Sequence, residues 1–210
     1  MKITKFGHAC FVAEQDSASL VVDPGAFSTD LQVPNTVTAV IITHEHFDHL
    51  NKELLQQIIT KNPEAVIIAH SSITAQLGEF TTKSVHAGDT FEVGGFILEF
   101  FGGEHAIISP DWQAPANLGV MINNRLYYPG DSFTIPEKPV EILALPVAAP
   151  WLKISETIDF LKAIKPNIAF PTHDGILSDA GKNLIDHMLP NITQDVGTTY
   201  KRIDNEPLQA

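Results

Sequence analysis

Thr43-His44-Glu45-His46-Phe47-Asp48-His49 is the segment on which the reading of this chain turns. His44, Glu45, His46, Asp48 and His49 all carry groups that bind metals, crowded more closely than one helix face would present them. The segment follows the apolar run Val37–Ile42, which reads as a buried strand. It precedes residues 50–59, where Leu54, Leu55, Ile58 and Ile59 recur at helical spacing. The donors therefore sit on a loop between a strand end and a helix start. Backbone there is free to turn several side chains inward while two regular elements hold it still. His44 and His46 are two apart, so in extended backbone both point to the same side. Asp48 and His49 follow as the chain bends toward the helix and can face a second ion beside the first. Imidazoles with a carboxylate suit zinc, manganese or iron, whereas calcium and magnesium prefer oxygen ligands.

The run His44-Glu45-His46-Phe47-Asp48-His49 resembles the signature of the metallo-β-lactamase superfamily. The wider pattern is similar to small bacterial metal-dependent hydrolases related to the ascorbate-6-phosphate lactonase branch. That family requires a further histidine, then a bridging aspartate after a strand, then a final histidine. The chain offers all three in order: His105 in Gly102-Gly103-Glu104-His105, Asp131 in Tyr128-Pro129-Gly130-Asp131-Ser132, and His173 in Phe170-Pro171-Thr172-His173-Asp174. Gly7-His8-Ala9-Cys10-Phe11 and Asp23-Pro24-Gly25 look similar too, so the resemblance covers about residues 2–178.

The resemblance implies an α/β fold, a four-layer αββα sandwich, with the site along one edge of the sheets where strand ends meet. It implies two divalent metal ions, Zn2+ first, with Mn2+, Ni2+ or Fe2+ as alternatives. His44, His46 and His105 would hold one ion; Asp48, His49 and His173 would hold the other, with Asp131 between them. Asp48 and Asp131 would be the catalytic carboxylates, Asp48 orienting a bridging hydroxide that serves as nucleophile. His86, in Val85-His86-Ala87-Gly88-Asp89, competes for the third-histidine position. His105 is preferred because it follows a longer strand and its spacing matches the family. His70 and His187 read as ordinary surface or helix-end histidines. His8 is either a hydrogen-bonded turn histidine or a residue touching substrate or a ligand. Ser132, beside Asp131, is either a supporting donor or a plain turn serine.

The 210 residues suffice for one domain, 1–210, with a sizeable core. Hydrophobic residues at 44% and charged residues at 18% fit an ordinary globular protein. With 13 basic against 25 acidic residues, the formal charge is −12. That argues against nucleic-acid and acidic-membrane partners, which require clustered Lys and Arg. A small-molecule substrate is the expected partner, and oligomeric state is not readable. The single cysteine, Cys10, has no internal disulfide partner and reads as a small buried residue. The start of the chain lacks a signal-peptide pattern, and no apolar run approaches the roughly 18 residues of a membrane span. A cytoplasmic protein is the expectation.

Strands are expected at Lys2–Phe6 and at residues 11–13 and 20–22, the last ending at the turn Asp23-Pro24-Gly25. Asp23 either forms that turn or braces the metal loop. Residues 28–36 read as a polar connection and 65–69 as a further buried strand, with Ser71 or Ser72 capping a short helix. Residues 82–86, Thr90–Val93 and 96–101 read as antiparallel strands, with Gly94-Gly95 as a hairpin signal, and 117–122 with 125–128 as another pair. Residues 143–146 and 168–170 are buried strands, Ser155 caps a helix bearing Ile158, Leu161 and Ile164, and 181–188 is a last helix. The tail from Asp204 is expected to fray. Periodicity alone yields a mixed α and β domain.

The leading function is a dinuclear metal hydrolase acting on a small ester, lactone or phosphoester. A di-iron oxidoreductase of the same superfamily is a rival, although such members usually carry glutamate where this chain has His46. An RNA-processing nuclease is another, disfavoured by the charge of −12. Phe27, Trp112, Trp151 and the loops 106–116 and 148–153 are candidate pocket walls, the first loop being long enough for a lid.

Overall fold

The computed structural model describes residues 1–210 apart from Thr29 and Asn205. Thr29 belongs to the expected polar connection and Asn205 to the expected frayed tail, so both positions lie outside the described residues. The first half of the chain forms β1 (Lys2–Phe6), β2 (Cys10–Gln15), β3 (Ala18–Val22), β4 (Val37–Ile42), α1 (Lys52–Lys61), β5 (Val66–His70), α2 (Ser71–Thr74) and β6 (Thr82–Val85). The second half forms β7 (Thr90–Val93), β8 (Phe96–Glu104), β9 (Ala116–Ile122), β10 (Leu126–Tyr128), β11 (Ile142–Pro146), α3 (Ile154–Ile164), β12 (Ile168–Thr172), α4 (Asp179–Thr193) and β13 (Thr199–Tyr200). Finally β14 (Leu208–Gln209) returns to the first half and pairs antiparallel with β1. Among the described residues these make two seven-stranded sheets, ordered β14-β1-β2-β3-β4-β5-β6 and β13-β12-β11-β10-β9-β8-β7.

Period-2 alternation explains how each sheet is covered on both faces. In β4, Ala39 and Ile41 face the core between the sheets, while Val40 and Ile42 face Leu55 and Ile58 of α1. In β11, Ile142 and Ala144 face the same central core, while Leu143 and Leu145 pack with Phe160 and Leu161 of α3 and Leu189 of α4. The result is the four-layer αββα sandwich: helix, sheet, sheet, helix. Cys10 is buried in the α1 layer, as a small apolar filler. No helix among the described residues is long and apolar enough to cross a membrane.

Several local expectations are corrected. Residues 82–85 do not join the antiparallel group; β6 pairs parallel with β5 in the first sheet, and the chain crosses to the second sheet only after it. Ser155 lies inside α3, whose N-cap is Lys153, with the Lys153 N–H donating to the Glu156 carboxylate at 2.9 Å. The cap of α2 is neither Ser71 nor Ser72 but His70, whose Nδ1 accepts from Ser72 N–H at 3.2 Å. The last helix runs longer than expected, Asp179–Thr193, from a Ser178 cap. Residues 208–209 do not fray: Leu208 pairs with Ile3 and Gln209 with Lys2, completing the first sheet.

Candidate metal centre

Five strands end at this site. His8 follows β1, His44 follows β4, His105 follows β8, Asp131 follows β10 and His173 follows β12, each within three residues of the strand's last residue. A strand end is a rigid mount, so side chains remote in sequence can be set to the tolerance a metal requires. The structure brings all of them to one edge of the sandwich.

Two groups of donors form there. His44, His46, His105 and Asp131 offer atoms within 4.8 Å of one another, and so do His8, His49 and His173. The Asp131 carboxylate joins the groups. Its Oδ2 lies 3.2 Å from His105 Nε2 and 3.9 Å from His44 Nε2. Its Oδ1 lies 3.1 Å from His49 Nε2 and in contact with His173 Nε2. Asp48 sits at the second group, Oδ2 being 3.9 Å from His49 Nε2 and 3.4 Å from His8 Nε2.

Outer hydrogen bonds assign the tautomers. Thr43 Oγ1 donates to Asp23 Oδ2 at 2.7 Å and so accepts from His44 Nδ1 at 3.1 Å. His49 Nδ1 donates to Asp23 Oδ2 at 2.7 Å, and His105 Nδ1 donates to the Ala106 carbonyl at 2.5 Å. His173 Nδ1 pairs with Thr172 Oγ1 at 3.1 Å. In each ring the outer nitrogen is occupied and Nε2 is turned inward. His49 Nε2 and His173 Nε2 are only 3.1 Å apart. Among the described residues, His44 Nε2 is fully buried with no hydrogen-bond partner, which is costly for a polar atom. An orphaned imidazole nitrogen, a close nitrogen pair and a shared carboxylate form a donor set that fits divalent metal ions.

The electrostatics show how strongly these groups act on one another. Burial, then the neighbouring His49, hold the His44 imidazole well below its ordinary pKa, so it is neutral, as a ligand must be. Burial opposes charge on Asp131, but His173 and His49 outweigh it and keep the carboxyl well below the usual range. Burial also opposes charge on His49, yet Asp131 and Asp23 together raise its pKa well above the ordinary value. Six imidazoles with Asp48, Asp131 and Asp23 in so small a space therefore form a tightly coupled set, of the kind that marks functional sites.

Asp23 braces the metal loop and does not merely form a turn. Its buried carboxylate accepts Thr43 N–H at 2.8 Å as well as the Thr43 hydroxyl and His49 Nδ1–H, and its backbone holds a left-handed φ of 45°. Asp23→Asn is expected to weaken divalent-metal binding about tenfold to a hundredfold. It replaces an acceptor of His49 Nδ1–H by a group able to present a donor. Competition against a chelating dye measures this, and an unchanged affinity would reduce Asp23 to a turn former.

His8 is tied down by one half of its ring. Its Nδ1 accepts from Gly175 N–H at 3.1 Å. In the neutral ring Nε2 therefore carries the proton, and it lies 3.4 Å from Asp48 Oδ2, while the same histidine also stands within the donor group of His49 and His173. Burial alone would raise the Asp48 carboxyl, but the His8 hydrogen bond and the charge of His49 bring it down to about 2. Ser132 is committed to its own turn, donating to the Pro129 carbonyl at 3.1 Å. His86 lies outside the cluster and faces His70, ring centroids 5.0 Å apart; His187 is exposed on α4.

Three supporting residues escape a reading by motif. Trp151 donates Nε1–H to Asp131 Oδ2 at 2.6 Å. Asn117 Oδ1 accepts Asp131 N–H at 3.0 Å while its Nδ2 donates to the Pro129 carbonyl at 2.9 Å. Thr43 relays Asp23 to His44. The only signal for them was position: Thr43 adjoins His44, Asn117 opens a strand, and Trp151 stood out only as an aromatic wall. Beside His46 opens a cleft of about 440 Å³ lined by Glu45, His70, Ser72 and residues 113–116.

Residues 2–173 match a family model described as "Beta-lactamase superfamily domain". Protein Rv0786c of Mycobacterium tuberculosis is 35% identical over 198 residues, covering 92% of this chain and 93% of that protein. A UPF0173 metal-dependent hydrolase of Methanocaldococcus jannaschii is 26% identical over 187 residues, 81% of this chain and 83% of that protein. Among solved structures, Igni18, a metallo hydrolase from Ignicoccus hospitalis, superposes with a TM-score of 0.75 at 18% identity, over 99% of this chain and 97% of that one; at that identity the likeness is one of fold.

Proposed function

This chain belongs to the β-lactamase superfamily, and on that footing we propose that it is a metal-dependent hydrolase with two divalent ions, zinc first, acting on a small ester, lactone or phosphoester. His44, His46 and His105 would hold one ion and Asp48, His49 and His173 the other, with Asp131 offering an oxygen to each group. The observation that carries this reading is the Asp131 carboxylate, with one oxygen toward each histidine group. Bound divalent ions lower the pKa of coordinated water from 15.7 toward about 7 and polarise a carbonyl or phosphoryl oxygen.

The protein's own part is positioning. Trp151 and Asn117 fix the Asp131 carboxylate from its indole and backbone sides. Asp23 and Thr43 set the tautomers of His49 and His44. His8 Nε2–H holds Asp48 Oδ2, leaving the other Asp48 oxygen free to orient a water hydrogen. The histidine at position 46 and the charge of −12 favour hydrolysis over di-iron redox chemistry or RNA processing.

Metal analysis of purified protein beside a panel of phosphodiester, lactone and ester substrates tests the reading. Two equivalents of zinc or manganese per chain with chelator-sensitive hydrolysis is the expected result. Two irons with redox activity and no hydrolysis would overturn it.

A further inference from the structure

Phe27 and Phe47 are 38% and 64% exposed, yet both are fixed in place. Ala26 N–H donates to the Phe47 carbonyl at 2.8 Å. A Cβ on Gly25 would stand 1.7 Å from the Asp48 carbonyl oxygen, and one on Gly7 would stand 2.0 Å from the Phe27 carbonyl oxygen. Only glycine permits these approaches, so three loops are packed together beneath the two rings. The rings meet edge to face at 5.4 Å, and Phe27 meets His8 in the same way at 5.6 Å. Rigid aromatic surface left in water is unfavourable and calls for an occupant.

The position of the pair says what that occupant is. Phe47 stands between His46 and Asp48, and Phe27 rests on the ring that orients Asp48, so the ledge adjoins the second histidine group. The opposite flank is the polar cleft, where Glu45 accepts Gln76 Nε2–H at 2.9 Å and no lysine or arginine stands among the lining residues. Lys52, which approaches Gln76, already donates to the Gln76 carbonyl at 2.9 Å and lies 4.0 Å from Glu79, so an anionic tail would have to compete for it.

We propose that the Phe27–Phe47 ledge seats the apolar, uncharged, non-reacting part of the substrate, an acyl chain or aryl ring, and so determines specificity. This rests on the metal-centre reading above. It narrows that reading away from substrates whose non-reacting part carries a phosphate or carboxylate. Each methylene half-removed from water by one apolar wall strengthens binding about twofold.

Hydroxamates test the ledge without turnover, because their head group anchors to a metal while the tail is varied. On zinc-loaded protein, calorimetry is expected to show hexanohydroxamate binding about tenfold to thirtyfold more tightly than acetohydroxamate. Adipic monohydroxamate, of equal length but ending in a carboxylate, should show no such gain. Phe27→Ala and Phe47→Ala should each cut the hexano-to-aceto ratio to about threefold or less, and Phe47→Leu should keep most of it. Zinc content measured on every variant separates the ledge from the metal site. A wild-type ratio near one, a ratio that survives both alanine variants, or a carboxylate tail bound as tightly as the apolar one would overturn the proposal. Protein that holds no zinc and binds no acetohydroxamate would overturn the metal-centre reading instead, and the ledge with it.

Discussion

Asp131→Ala is expected to leave one of two metal equivalents bound and to slow hydrolysis by about a hundredfold to a thousandfold, in a protein that still folds. The carboxylate lies between the histidine groups, its Oδ2 toward His105 and His44 and its Oδ1 toward His49 and His173. Without it, His49 loses the first of the two carboxylates that raise its pKa, and the carboxylate that reaches both groups is gone. The fold survives because the central core and both helix layers lie apart from this side chain. Metal analysis, circular dichroism and turnover on one preparation decide the matter. Normal hydrolysis with two ions bound would show that Asp131 is not the bridge.

Lys5→Met is expected to destabilise the fold by about 3–5 kcal/mol, which lowers the Tm by roughly 6–20 °C for a chain of this size. Lys5 is buried on β1, and its Nζ lies 2.8 Å from Asp174 Oδ1 and 2.9 Å from Asp204 Oδ1 while donating to the Gly7 carbonyl at 2.6 Å. Arg202 joins the cluster, touching Asp174 and pairing with Asp186 at 2.6 Å and Asp204 at 2.9 Å. Removing one member of a buried ionic set leaves another charge uncompensated, and that accounts for the size of the effect. Gly7 directly precedes His8 and Asp174 directly follows His173, so the cluster also ties the two histidine loops together.

The pH dependence of that cluster has a definite sign. Burial opposes ionisation of Asp204, but Lys5 and then Arg202 hold its carboxyl below the ordinary value. A depressed carboxyl pKa contributes stability that is present above the unfolded value of about 3.9 and is lost as the pH falls through the folded value. Wild-type Tm should therefore drop below about pH 4, and the drop should be shallower in Lys5→Met, where Asp204 has lost its first partner. Parallel melting curves for the two proteins between pH 3 and pH 7 would expose a wrong sign at once.

How far the site was legible depended on whether chemistry or partnership set each residue's role. His44, His46, Asp48 and His49 lie in one loop, where side-chain type and local order single them out; His105, Asp131 and His173 each follow an apolar run, and it was the family resemblance, through the order of its motifs, that picked them. Asp23 was ambiguous because its neighbours Pro24 and Gly25 already justify a turn, while the groups it holds, Thr43 and His49, lie 20 and 26 residues away. His8 was undecided for the same reason, since its proton is placed by the N–H of Gly175, 167 residues distant. The capping errors at α2 and α3 were of another kind. Serines adjacent to a helix start are good caps in isolation, but here the His70 imidazole caps α2, and at α3 Lys153 holds the cap position while Glu156 accepts its N–H.

By itself the sequence determined the alternation that buries both faces of each sheet, the strand ends that carry donors, and the donor chemistry, because these follow from side-chain type at short range. Only the tertiary structure decided that β6 lies parallel to β5, that the last residues complete the first sheet, that Trp151 and Asn117 secure Asp131, and that Phe27 and Phe47 share one exposed ledge. Those outcomes are contacts between segments far apart along the chain, and burial and hydrogen bonding select such partners only once the two sheets have closed on each other.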